Sequence, residues 1–177
     1  MSQENRGSWR GRNRPYIYAV VFAIFMTFVI APEVMEDNTM SPAIEKGSVI
    51  LVTKHNYSAN RGGPNIGDVV VMEKNYAKDV SKDNIVARVI AGPGSTVEIK
   101  NDKLYVDNVR CKVKGATGDL GKDMKVKLGK ESMFLLSDNR DSKVDSRNKK
   151  LGPVDMREIK GKAKTCIWPF NRFGSIK

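Results

Sequence analysis

The polar groups best placed for chemistry lie in two short segments of this 177-residue chain. The first, residues 38–42 (NTMSP), follows a long apolar run and carries the Thr39 hydroxyl. The second, residues 137–147 (SDNRDSKVDSR), gathers carboxylates, hydroxyls and cations. His55 is the single histidine, and its neighbours Lys54 and Asn56 are typical of a surface loop, so an enzyme with a Ser-His-Asp or Cys-His pair is not expected. A hydroxyl nucleophile would then need another base, such as a lysine amine desolvated enough to be neutral.

The net charge and the cysteines indicate which kinds of partner and cofactor to expect. The net charge is +11, but no nucleic-acid motif accompanies the scattered lysines, so we expect no nucleic acid and favour anionic lipid or an anionic cell wall. Cys111 and Cys166 do not have the spacing of a metal site, and no metal or cofactor is expected. We favour two free thiols. A disulfide stays open because the main domain is predicted to lie outside the cytoplasm.

The N-terminal region predicts a membrane anchor. Residues 16–31 carry no charge, and Arg6, Arg10, Arg12 and Arg14 precede them. The positive-inside rule places these arginines in the cytoplasm. We therefore predict a cytoplasmic segment 1–15, a transmembrane helix 16–35 and an extracytoplasmic domain 36–177. A cleaved signal peptide is the alternative, but Pro32 would follow the cut and distort the extended backbone that a protease must hold.

The outer domain is predicted to be mainly β, a folded sheet or barrel of short strands with turn signals between them. Residues 97–100 and 104–106 alternate across Asn101-Asp102, which indicates a hairpin. The stretch Lys112 to Lys130 is broken by glycines and reads as an insertion or mobile loop. The other predicted strands are residues 48–53, 67–72, 85–90, 132–136 and 159–168.

Several segments behind the apolar run resemble, in order, the boxes of type I signal peptidases, membrane-bound proteases that use a serine–lysine pair. They are residues 39–42 (TMSP), 85–94 (IVARVIAGPG), 138–147 (DNRDSKVDSR), 151–154 (LGPV) and 168–171 (WPFN). The resemblance covers the chain from the anchor to near its end. It implies the signal peptidase β-fold on one N-terminal transmembrane helix, in the cell membrane of a Gram-positive bacterium.

Two departures from the family pattern fall on the reacting groups. Thr39 stands at the serine position, and Ala87 stands at the position of the general-base lysine. Loss of a general base costs about 10² to 10⁴-fold in rate, so the leading hypothesis is a protein without proteolytic activity. The alternative is an active peptidase that uses Thr39 with an unusual base. Lys143, in place of a family serine, is a speculative substitute base.

The resemblance also implies roles for other residues. Members of the family that lack the catalytic residues assist pilin assembly at Gram-positive surfaces, so the implied partners are membrane lipid and an extended secreted or pilin peptide. Asp145 and Arg147 are expected to form a salt bridge, and Ser137 replaces the usual glycine. The implied substrate groove contains Met40, Ser41, Pro42, Val86 and Arg88. The implied structural box around the active site contains Asp138, Asn139, Arg140, Asp145, Ser146 and Arg147.

Overall fold

The fold is mainly β, and the computed structural model describes residues 9–73 and 84–176 of the chain. One helix, α1 (Trp9–Val29), precedes the strands. The strands are β1 (Ile30–Val34), β2 (Val49–Lys54), β3 (Val69–Glu73), β4 (Asn84–Ala91), β5 (Thr96–Lys100), β6 (Lys103–Val106), β7 (Val109–Cys111), β8 (Met124–Lys127), β9 (Ser132–Leu136), β10 (Val154–Asp155), β11 (Ile159–Trp168) and β12 (Gly174–Ser175).

The strands form two antiparallel sheets. The larger sheet has the order β1-β2-β11-β3-β4-β9-β10, with β12 paired to β11. The smaller sheet has the order β7-β6-β5-β8 and is inserted in the chain between β4 and β9. The mainly β fold predicted from the sequence is therefore confirmed.

The long strand β11 lies at the centre of the larger sheet, between β2 and β3. Gly161 allows this close approach, because a Cβ atom at this position would lie 2.2 Å from the Thr53 carbonyl oxygen. A side chain here would force β2 and β11 apart. The strand therefore depends on a glycine in its interior, where glycine normally weakens a strand.

Alternation along β4 divides the core of the larger sheet. Ile85, Ala87 and Val89 pack on one face, in a cluster that also contains Leu135. Val86 points to the other face and packs in a second cluster with residues such as Met40 and Ile44. Successive side chains of a strand point to opposite faces, so adjacent positions in β4 belong to different cores. A third cluster joins the ends of β4 and β9 to the smaller sheet.

The smaller sheet confirms the predicted hairpin and corrects one expectation. Asn101 and Asp102 both have positive φ, 49° and 55°, as a two-residue hairpin turn requires. Lys103 begins β6 immediately after this turn. The stretch Lys112 to Lys130 is not simply a mobile loop, because it contains β8, which pairs with β5. The sequence prediction missed β8 because three of its four residues are lysine or methionine, which carry little strand signal.

The N-terminal boundaries also differ from the prediction. Helix α1 begins at Trp9 and ends at Val29, whereas residues 30–34 form β1 and pair with β2. Pro32 has no backbone N–H to donate, and it fits β1 because the open side of an edge strand needs no donor. In the described part of the chain, no helix combines the length and apolarity that crossing a bilayer requires.

The structure agrees with the expectations for the two cysteines and for His55. Cys111 and Cys166 are free thiols, and Cys166 is buried. His55 is exposed and stacks on Tyr57 with ring centroids 5.4 Å apart. The favoured interpretation of the cysteines is confirmed.

Candidate active site

Thr39 lies in the turn between β1 and β2 and is only 6% exposed. Its hydroxyl Oγ1 donates a hydrogen bond to Asp37 Oδ1 at 2.5 Å, and its backbone N–H donates to the same oxygen at 2.8 Å. Asp37 therefore closes a local turn around Thr39, an arrangement typical of a short acidic side chain two residues earlier. The Thr39 proton is directed at a carboxylate and not at an amine.

Ala87 is fully buried in the apolar cluster on one face of β4. Arg88 pairs with Leu136 across β4 and β9, so continuing this antiparallel register by one residue places Ser137 opposite Ala87. Residues directly opposite in such a pair have Cβ atoms about 5 Å apart. The Ser137 hydroxyl is buried and has no hydrogen-bond partner among the described residues. A serine thus lies beside the position from which a lysine side chain would extend.

Lys143 does not compensate for Ala87 in this structure. Its side chain is exposed, and its amine makes no hydrogen bond or ion pair with another described residue. The following residue, Val144, packs against the cluster that contains Ala87. The loop therefore directs an apolar side chain towards this cluster and the lysine towards solvent. A role for Lys143 as a base stays a prediction without a supporting contact.

The structure divides the predicted groove residues between two depressions. A small one beside Thr39 is lined by Val86 and Asn84 of β4 together with residues 33–37. A larger one, of about 550 Å³, is lined by Pro42, Arg88 and the segment 111–115. Met40 is fully buried beneath the site, and the side chain of Ser41 is half-buried.

Arg88 is committed to an ion pair. Its Nε and Nη2 atoms donate to Asp138 Oδ1 and Oδ2 at 2.8 and 2.6 Å, and both side chains are at least nine-tenths buried. Nη1 donates to the Gly67 carbonyl at 2.9 Å. A bidentate pair of this kind fixes geometry as well as charge. Arg88 therefore braces the site through its guanidinium.

Asp145 and Arg147 form the second brace. Arg147 Nη2 lies 2.8 Å from Asp145 Oδ2, and Asp145 is fully buried. Asp145 also accepts a hydrogen bond from the Ser137 backbone N–H at 3.0 Å. The guanidinium of Arg147 reaches further, donating to backbone carbonyls that include those of Leu120 and Arg140. The structure therefore contains the salt bridge that the resemblance implied, and Arg147 links the β9–β10 connection to the loop that contains Leu120.

Asn139 and Ser146 attach this box to the rest of the site. The backbone N–H of Asn139 donates to the Thr39 carbonyl at 2.9 Å, and its side-chain amide donates to the Asn38 carbonyl at 3.2 Å. Ser146 accepts from the Leu135 N–H at 3.0 Å through its hydroxyl. The position of Thr39 is therefore set by a segment a hundred residues later.

Two contributors to the site were not predicted from the sequence. Asp37 is one, although an acidic residue two positions before Thr39 is a turn signal that could have revealed it. The other is a hydrogen bond at the depression beside Thr39, where Asn84 Nδ2 donates to Glu33 Oε1 at 2.6 Å. Nothing local in the sequence connects Asn84 and Glu33, because they meet only once β4 and the β1 region are folded.

The family match and the most similar relatives reported below are all signal peptidases. The model of the family described as "Signal peptidase, peptidase S26" matches residues 13–168. Signal peptidase I of Bacillus caldolyticus is 33% identical, with 93% of this chain and 94% of that protein aligned. Signal peptidase I T of Bacillus subtilis is 32% identical, covering 91% of this chain and 86% of that protein. Signal peptidase IB of Staphylococcus aureus is 31% identical, covering 87% and 86%.

Among solved structures, a signal peptidase I from Enterococcus faecalis is similar with a TM-score of 0.46 and 21% sequence identity. The match covers 56% of this chain and 95% of that chain.

Proposed function

Because this chain belongs to the signal peptidase family, peptidase S26, and lacks a lysine at the general-base position, we propose that it binds secreted peptides without cutting them. The observation that carries the proposal is the environment of position 87. Ala87 is buried in an apolar cluster, and Ser137 occupies the adjacent position in β9's continuation. An alanine can neither accept a proton nor hold a hydroxyl in place, so the Thr39 hydroxyl has no lysine at position 87 to activate it.

The occupant we propose is an extended segment of a secreted or pilin protein. The depression beside Thr39 lies between Val86 of β4 and the residues that continue from β1. Strand β1 is an edge of the larger sheet, and Val34 at its end is 56% exposed. An extended peptide can add to such an edge by backbone pairing while its side chains enter shallow pockets. This geometry favours holding a peptide, a task that needs no base.

A second candidate function is supported by the 2.5 Å contact between Thr39 and Asp37. In an active peptidase, Thr39 Oγ1 would attack the scissile carbonyl carbon and pass its proton to the Asp37 carboxylate. That proton would then go to the leaving amine, which releases one fragment and leaves an ester on Thr39. Water would hydrolyse the ester while Asp37 takes a proton from the water and returns it to the departing Thr39 Oγ1. The extra methyl group of threonine restricts χ1 and crowds this attack, which makes the candidate the weaker one.

A cleavage assay separates the two functions. We expect the full chain in detergent to bind a labelled signal-peptide substrate saturably and to cleave it no faster than the Thr39→Ala variant. Fluorescence anisotropy measures the binding, and chromatography of the products measures the cleavage. Asp37→Asn removes the carboxylate charge at nearly constant shape, and Lys143→Ala removes the amine of the other candidate base.

Each outcome assigns a function. Cleavage by the unmodified chain that both Thr39→Ala and Asp37→Asn abolish would establish the second candidate and reject the first. Cleavage abolished by Thr39→Ala and Lys143→Ala, but not by Asp37→Asn, would assign Lys143 as the base. Absence of both binding and cleavage would reject both functions.

We also propose that α1 anchors the protein in a membrane with the N-terminus in the cytoplasm. Apolar side chains of α1 are strongly exposed, including Tyr16 at 71%, Val20 at 58% and Phe22 at 61%. Phe170 and Phe173, near the end of the chain, are exposed at 75% and 65%. Exposed apolar side chains of this size favour contact with lipid. The four arginines before residue 16 favour the cytoplasmic orientation of that end.

Protease protection tests this orientation. A protease added outside intact cells is expected to degrade the region after Pro32 and to leave the N-terminal arginines intact, because only the region after the anchor would be accessible. Immunoblots against tags at the two ends measure the result. A mature protein that begins at Pro32 would identify the segment as a cleaved signal peptide instead, and a protected C-terminal tag would reverse the orientation.

A further inference from the structure

Arg140 differs from the other two arginines of the site. Arg88 and Arg147 each form a bidentate pair with a buried aspartate, whereas no hydrogen bond from the Arg140 guanidinium to another described residue is found. The residue is only 4% exposed, and its Nη1 atom is buried without a partner. A buried cation without a hydrogen-bonded partner is costly, so its retention here calls for an anion.

The nearby carboxylates do not supply that anion. Asp138 and Asp145 both act on Arg140 through space, but each is already bonded to its own arginine. Burial is the largest effect and lowers the pKa of the Arg140 guanidinium, and the positive charges of Arg147 and Arg88 act in the same direction. Arginine nevertheless stays protonated at neutral pH, so the charge remains.

Arg140 lines a surface depression of about 220 Å³ between the β6–β7 hairpin and the loop 116–120. Three further cations line it, namely Lys103, Arg110 and Lys112. Among the described residues that line it, one is a carboxylate: Asp102, which accepts a hydrogen bond from the backbone N–H of Leu120 at 2.6 Å. The depression therefore has a surplus of three positive charges.

The wall of this depression is held in place by several contacts. The backbone N–H of Arg140 donates to the backbone carbonyl of Thr117 at 2.6 Å. The backbone N–H of Thr117 donates in turn to the backbone carbonyl of Asp138 at 2.9 Å. Gly118 has a φ of +84°, and a Cβ atom there would lie 2.5 Å from Asp141 Oδ1. The loop thus packs tightly on the segment that contains Arg140.

We propose that this depression, which we call the Arg140 pocket, binds a phosphate group. The lining has one buried guanidinium, on Arg140, and at its exposed rim a second guanidinium, on Arg110, and two ammonium groups, on Lys103 and Lys112. Guanidinium and ammonium groups are the donors that proteins use for phosphate oxygens. A phosphate carries one negative charge as a diester and up to two as a free anion, which complements the surplus of three positive charges. The group is either inorganic phosphate or one unit of a phosphodiester polymer. The pocket is independent of whether Thr39 cuts peptides.

Calorimetric titration and thermal unfolding of the full chain in detergent test the proposal. At constant ionic strength, 10 mM inorganic phosphate is expected to raise the melting temperature by about 3 °C or more relative to chloride, because a ligand of the folded state stabilises it. Arg140→Gln is expected to weaken phosphate binding at least about tenfold, the usual effect of losing a hydrogen bond to a charged group. Without phosphate, this variant should melt at the same temperature as the unmodified chain or higher, because it removes an unpartnered buried charge.

The rim provides a matched comparison. Lys103→Gln with Arg110→Gln is expected to weaken binding several-fold. Lys46→Gln with Lys149→Gln changes the net charge equally at exposed positions outside the pocket and should leave binding unchanged. Short poly(glycerol phosphate) chains identify the source of the group. Tighter binding of these chains than of inorganic phosphate assigns a polymer, and the reverse assigns the free anion.

Other results would overturn the proposal. The proposal is wrong if phosphate leaves the melting temperature of the unmodified chain unchanged. It is also wrong if phosphate stabilises Arg140→Gln as much as the unmodified chain, or if the Lys46/Lys149 control loses as much affinity as the rim variant. Equal stabilisation by acetate would show that the pocket does not select phosphate.

Discussion

A chain that carries Thr39→Ser, Ala87→Lys and Ser137→Gly together is expected to cleave a signal-peptide substrate at least about 100-fold faster than the unmodified chain. The lysine supplies the base that position 87 lacks. Because Ala87 is fully buried, an amine on this side chain would be desolvated and its pKa lowered towards neutrality. Serine at position 39 removes the methyl group that crowds attack. Release of product from a labelled substrate measures the change.

The third substitution follows from the register of β4 and β9. Ser137 lies opposite Ala87, so its side chain occupies space beside the path of a lysine. Adding a long side chain to a packed core typically costs about 1–3 kcal/mol. We therefore expect Thr39→Ser with Ala87→Lys, but with Ser137 retained, to recover less activity and to melt at a lower temperature than the triple variant.

A methionine provides the control for this experiment. Ala87→Met in the same background has a similar length and no amine, so it should remain inactive. Equal activity of the methionine and lysine variants would show that position 87 does not supply the base. An unmodified chain that already cleaves as fast as the triple variant would contradict the proposed loss of proteolysis.

Asp145→Ala is expected to lower the melting temperature of the full chain by roughly 10 °C. Its carboxylate is fully buried and bonded to Arg147 and to the Ser137 backbone, so removing it leaves a guanidinium that is itself only 8% exposed without its partner. Breaking a buried pair in this way costs about 3–5 kcal/mol, and each kcal/mol corresponds to about 2–4 °C for a chain of this size. Circular dichroism during heating measures the shift.

A second arginine–aspartate pair with the same spacing serves as the control. Arg157 pairs with Asp155, but its side chain is 64% exposed, so Arg157→Ala should produce no measurable shift. The double variant Asp145→Ala with Arg147→Ala should cost less than the sum of the two single changes, because the second change removes the charge stranded by the first. Additive effects would show that Asp145 and Arg147 are not energetically coupled.

Much of the fold was accessible from sequence because its signals are local. The turn Asn101-Asp102 requires residues that tolerate positive φ, and two alternating segments flank it, so the hairpin follows from about ten consecutive residues. The strands β9 and β11 have the predicted bounds, Ser132–Leu136 and Ile159–Trp168. The order of the motifs was also sufficient to recognise the family and to locate the two changed positions, Thr39 and Ala87.

The boundary between α1 and β1 could not be predicted from local sequence signals. Residues 30–34 continue an apolar run and look like the end of a helix, but they form β1 because β2 offers them a partner for pairing. Such pairing depends on a strand that begins 15 residues later, at Val49. An apolar run alone does not distinguish a helix from a strand that pairs elsewhere.

Only the tertiary structure decided which charged groups are partners. The sequence presents Arg88, Arg140 and Arg147 as similar cations near several aspartates, but the first pairs with Asp138 across 50 residues and the third with Asp145. Arg140 is left buried against a depression formed by a hairpin and a distant loop. Likewise, Ser137 lies beside Ala87 only through strand register. Residue types and their order are local information, whereas partnership depends on which backbones the folded sheets bring within a few ångströms of one another.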